Sequence, residues 1–132
     1  MKRYVIESWM VLLHLEWVMR RQGLKKMHEI VRLQPVVQVQ SRDVVPHELL
    51  CRAVDYACVL YFKRVLCLQH SCTTTLLLRR HGWSAEMVIG AQIIPPASHA
   101  WVEIGGVVVN DKPYMAEIYQ VLERCGAREE LR

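Results

Sequence analysis

The hydrophobic pattern changes period at Gly82, and that switch bounds the fold. Before Gly82, apolar residues recur at spacings of three and four, as on a helix. After it, residues 85–94 form a short β-branched run that ends at Pro95-Pro96. Residues 99–104 alternate, and residues 107–109 resume behind the turn signal Gly105-Gly106. Residues 114–124, with Gly126 behind them, read as a closing helix. Helices, then a small antiparallel sheet, then a helix make an α+β chain.

The helical half divides at its breakers. Residues 4–32 carry an apolar stripe of Ile6, Trp9, Met10, Leu13, Trp17 and Met19 or Arg20, bent or split at Gly23. Such a stripe is expected to dock on the chain's own core; the sharper reading is a face that meets a partner. Pro35 ends this region. Val36 to Gln40 reads as a short strand and Ser41-Arg42-Asp43 as a turn. Pro46-His47-Glu48 opens a second helix that runs to about residue 63 and carries Cys51 and Cys58 on one face as core thiols. A third helix starts at Cys67 and ends with Arg79, Arg80 and His81 in its last turn and Gly82 just beyond.

Composition narrows the function classes. The chain has 132 residues, enough for one domain with a real core, and 52% hydrophobic with 23% charged residues is an ordinary globular balance. The net charge of +4 is scattered, with no dense basic stripe, so nucleic acid is not an expected partner. Five cysteines with no CxxC pair argue against a disulfide framework or a thiolate metal cluster. No metal and no cofactor are expected. The apolar N-terminal stretch is interrupted by Glu7, His14 and Glu16, which argues against a signal peptide or a membrane span and for a cytoplasmic protein.

Three residues carry candidate chemistry. Cys67 sits where a helix begins, and the free N–H groups and dipole of a helix N-terminus stabilise a thiolate. His99 opens a strand after a Pro-rich loop, with Trp101 and Glu103 on its face and Ala100, Val102 and Ile104 on the other. Asp111 completes the set if the hairpin register allows it. A two-residue Gly105-Gly106 loop pairs Ile104 with Val107 and turns His99 and Asp111 to opposite faces. A three-residue loop with Gly106 left-handed pairs Glu103 with Val107 and sets His99 opposite Asp111, and this register is the expected one. Asp111 would then hold the tautomer of His99, and His99 would deprotonate Cys67 for attack on a carbonyl. Gln69 and His70 are candidate second oxyanion donors. Cys72, deeper in its helix, is expected in the core, and a Cys67–His70 dyad is the competing assignment.

The stretches Cys67-Leu68-Gln69-His70-Ser71, Leu76-Leu77-Leu78-Arg79-Arg80-His81-Gly82, Val88-Ile89-Gly90, His99-Ala100-Trp101-Val102-Glu103 and Val108-Val109-Asn110-Asp111 resemble, in order and spacing, the transglutaminase-like leader peptidases of lasso-peptide biosynthesis. The resemblance implies a transglutaminase- or papain-like core with Cys67, His99 and Asp111 as the triad. It implies cleavage of a leader from a ribosomally made precursor through a thioester, before an asparagine-synthetase-like cyclase closes the macrolactam with ATP. A chain this short fits the split form, which relies on a small separate leader-binding protein. On this reading residues 1–45 are a helical, partner-binding part and residues 46–132 the catalytic core. A transglutaminase-like acyltransferase and a non-catalytic subunit that binds leader or cyclase are the alternatives.

Overall fold

A computed structural model describes residues 1–126; residues 127–132, the end of the expected catalytic core, lie outside the described residues. The elements run α1 (Lys2–Leu33), a 3-10 turn (Ser41–Asp43), α2 (His47–Leu60), α3 (Cys67–Arg80), β1 (Ala85–Gln92), β2 (Ala97–Ile104), β3 (Val107–Val108), α4 (Met115–Ile118) and β4 (Gln120–Cys125). The four strands form one antiparallel sheet in the order β3-β2-β1-β4. This is the α+β architecture expected from the change of period. Among the described residues, no helix is long and apolar enough to cross a membrane.

The third helix organises the rest. From Ser71 to Arg79 every residue of α3 is buried, because α1 and α2 cover one side and the sheet the other. Such a helix needs its polar side chains satisfied locally. Thr73, Thr74 and Thr75 donate their hydroxyls to the carbonyls of Gln69, His70 and Ser71, each at 2.9 Å. Leu76 packs with Val11, Leu15, Met27 and Val31 of α1, while Leu77 and Leu78 meet Leu50 and Val54 of α2 and Val102 of β2. The helix ends where expected: Gly82 has φ +92°, the left-handed conformation that glycine adopts without a Cβ clash.

The opposite face of the sheet is covered by the chain that follows β3. Val88, Trp101 and Met115 form a small second core there, with Tyr119 and Val121 at its margin. Both faces of β2 are therefore buried from Ala100 to Glu103, and Glu103 is held by Arg124 at 2.7 Å and by the Trp101 indole N–H at 2.9 Å.

Several expectations need correction. Residues 36–40 form no strand; Val37 donates its N–H to the Arg79 carbonyl at 2.8 Å, which ties the segment to the end of α3 rather than to a ladder. The closing helix is only Met115–Ile118, and the chain then extends as β4 against β1. Strong helix formers there yield to the free edge of β1. The α1 stripe is also only partly docked. α1 is kinked at Gly23; Trp9 and Met19 of the stripe pack half-buried on the core, but the fully buried face includes Val11, Leu12, Leu15 and Val18, whereas Ile6 (64%), Met10 (56%), Leu13 (37%) and Trp17 (52%) stay exposed.

Candidate active site

The Gly105-Gly106 loop has two residues, not three. Both glycines have positive φ, +59° and +84°, and Ile104 pairs with Val107 and Glu103 with Val108. This is the register expected to separate His99 from Asp111, and the three-residue loop is overturned. The two side chains nevertheless meet, with His99 Nε2 2.5 Å from Asp111 Oδ2.

Asn110 explains how. A continued ladder would give the Val102 N–H to the Val109 carbonyl. Here Val109 still donates to the Val102 carbonyl, at 3.0 Å. The Val102 N–H, however, goes to the Asn110 side-chain oxygen at 2.7 Å. The side chain takes the carbonyl's place, the ladder stops, and residues 109–111 bend away from the strand alternation. The bend returns Asp111 to the face of His99. Sequence reasoning missed Asn110; its only signal was an Asn beside the candidate Asp.

Asn110 also reaches the helix that carries Cys67. Its side-chain N–H donates to Ser71 Oγ at 3.4 Å, one turn beyond Cys67. One amide thus ties together β2, the Asp111 bend and the start of α3. Replacing Asn110 by Ala leaves the buried Val102 N–H without an acceptor and should cost about 2 kcal/mol. Asn110→Asp keeps the acceptor and should lose much less. Thermal unfolding of the two variants checks the order.

Cys67 is the first residue of α3, and its thiol is free and exposed. The N–H groups of the first turn precede the first intrahelical bond, which His70 makes to the Leu66 carbonyl at 2.9 Å. Among the described residues no hydrogen bond joins Cys67 to His99. The structure therefore brings His99 and Asp111 into contact, and links the Cys67 helix to them through Asn110 and the packing of α3 on β2. A carboxylate only accepts, so the imidazole hydrogen lies on Nε2 and Nδ1 is the nitrogen left for a second partner.

The neighbours have other occupations. His70 Nε2 lies 2.9 Å from Asp55 Oδ1 of α2, away from His99. Gln69 is buried and donates to the Leu12 carbonyl at 3.2 Å and to Glu16 Oε1 at 3.4 Å. Both groups are therefore directed at α1 or α2. Among the described residues, no group of three or more His, Cys, Asp or Glu side chains is placed to hold a metal.

The other thiols are quenched by burial. Desolvation pushes Cys51 and Cys72 up to about 12, and Cys58 and Cys125 up to about 11. At neutral pH they carry almost no thiolate. Limiting iodoacetamide on the folded protein should alkylate Cys67 first, by at least about tenfold over any other cysteine. Peptide mapping reads this out, and equal labelling of Cys58 would contradict it.

Helices thus pack over a four-stranded sheet, with an exposed Cys67 opening the central helix and His99 of the neighbouring strand β2 in contact with Asp111. The chain belongs to the transglutaminase-like superfamily, whose sequence profile matches residues 9–124. It is also similar to the microcin J25-processing protein McjB of Escherichia coli, at 39% identity over 56 residues. That stretch is 42% of this chain and 27% of the relative's length. No solved structure matches the chain.

Proposed function

We propose that the chain is a cysteine peptidase that removes the leader from a ribosomally made lasso-peptide precursor. The observation that carries this reading is the 2.5 Å His99–Asp111 contact, on the strand against which the Cys67 helix packs. Similarity to a microcin-processing protein supports the substrate class.

The roles follow from the chemistry of each group. Asp111 accepts from Nε2 and fixes the tautomer of His99. Nδ1 takes the Cys67 proton, and the thiolate attacks the scissile carbonyl. The tetrahedral oxyanion sits near the α3 N-terminus, where the Cys67 N–H is one donor. His99 returns the proton to the leaving amine, which departs with the core peptide. Water, activated by the same imidazole, then opens the thioester and frees the leader.

The freed amine is what a macrolactam cyclase of the asparagine-synthetase type would consume, so that enzyme and a small leader-binding protein are the proposed partners. The exposed strip Ile6, Met10, Leu13 and Trp17 supports residues 1–45 as the part that meets the leader-binding partner. Residues from 46 onward, with the triad, then form the catalytic core, and the protein acts in the cytoplasm.

Mass spectrometry of a precursor peptide incubated with the protein, with and without the leader-binding partner and without ATP, tests the reading. Release of a leader ending in a free acid is the expected result. A leader ligated to an added amine would point to an acyltransferase, and precursor binding with no cleavage under any condition would point to a non-catalytic subunit.

A further inference from the structure

Three aromatic rings meet on the outer face of the sheet. The Tyr119 ring stacks on the His99 imidazole, with centroids 5.4 Å apart and planes 26° apart. Trp101 lies 6.2 Å from His99 and 6.1 Å from Tyr119. Trp101 is fully buried, so it is a fixed floor. Tyr119 is partly exposed and arrives from the segment between α4 and β4.

Two features of the backbone put it there. β4 pairs Glu123 with Ile89 and Val121 with Gly90, so Leu122 has no partner on β1. A strand's faces alternate, and one extra residue reverses every side chain beyond it. Tyr119, two residues before Val121, thereby shares the face of Gly90, which pairs with His99 on β2. Without the extra residue it would point to the helix side. The second feature is Gly90 itself. A Cβ there would lie 2.8 Å from Tyr119 Cβ and 2.9 Å from the end of the Trp101 indole. Trp101 has no room to move, so Tyr119 would be displaced.

We infer that Tyr119 is a positioning residue for His99, held over the imidazole by the β4 bulge and admitted by the missing side chain of Gly90. The inference rests on His99 being the base of the proposed reaction. The Asp111 contact fixes the ring at one nitrogen only and leaves rotation about that hydrogen bond. A ring stacked on its face removes this freedom and holds Nδ1 in one direction.

The test uses the full chain and compares wild type with Tyr119→Phe, Tyr119→Leu and Gly90→Ala. NMR of isotope-labelled histidine, with His99 assigned by His99→Gln, reads the ring current on the imidazole protons. Iodoacetamide reads the Cys67 thiol, and precursor cleavage reads kcat and KM. Wild type and Tyr119→Phe should share ring-current-shifted His99 signals. Tyr119→Leu and Gly90→Ala should lose much of that shift and lower kcat by about tenfold, with KM little changed. Their Cys67 alkylation should slow in parallel. Wild-type His99 signals without a ring-current shift overturn the inference before any variant is made. A folded Tyr119→Leu with unaltered His99 signals and kcat also overturns it. The NMR and alkylation arms need no precursor, so failure of the wild type to cleave would count against the peptidase reading alone.

Discussion

Cys67→Ala should remove leader cleavage, lowering its rate by at least about 10³-fold, the scale of a lost covalent nucleophile. The thiol is exposed and contacts no core cluster, so the melting temperature should stay near that of wild type. None of the other four cysteines can substitute, since burial raises each of them to about 11 or 12. His99→Ala should cost nearly as much, because without a base the thiol is not deprotonated and the leaving amine is not protonated. The double variant should be no slower than the worse single one, since groups that act on one proton do not add. Cleavage assays on the three variants check this. Additive losses would mean that the two side chains work independently.

Arg79→Met is the change expected to damage the fold most. Arg79 is fully buried in the last turn of α3 and spends its guanidinium on backbone carbonyls. It donates to Ala85 at 2.9 Å, to Cys125 at 2.8 Å, to Gln34 at 3.3 Å and to Val31. One planar fork therefore joins the end of α1, the start of β1 and the end of β4. Burial lowers its pKa to about 10, so it remains charged at neutral pH. Met fills similar volume but leaves these acceptors unsatisfied, which should cost about 4 kcal/mol, a large share of a small domain's stability. Arg79→Lys should recover little, because one ammonium cannot reach carbonyls on three sides. Urea unfolding measures both. A shift in Arg79→Met below about 1 kcal/mol would show that water replaces the fork.

Much of the fold was legible where local rules and tertiary demands agree. The second and third helices begin and end near the residues their capping and glycine signals mark, at Pro46, Cys67 and Gly82. The family resemblance pointed to Cys67, His99 and Asp111, and the geometry joins the last two. Illegible parts depend on partners distant in sequence. Residues 120–125 are good helix formers, and only the open edge of β1 makes them a strand. The α1 stripe misled because Trp and Met at helical spacing look like a core face. The fully buried side is mostly aliphatic, Val11, Leu12, Leu15 and Val18 with Met27, and of the stripe only Trp9 and Met19 reach the core. The hairpin misled in the opposite way. Its turn is the simpler one, and a single side-chain amide at Asn110 restores the His99–Asp111 contact that the register alone would forbid.

The most direct measurement is cleavage of the precursor in the presence of excess hydroxylamine, with wild type and Cys67→Ala compared by mass spectrometry. A thioester on Cys67 is attacked by hydroxylamine in competition with water, so wild type should release the leader partly as a hydroxamate and partly as the free acid. Cys67→Ala should release neither. Leader acid and hydroxamate released by Cys67→Ala at the wild-type rate and in the wild-type proportion would contradict covalent catalysis at Cys67.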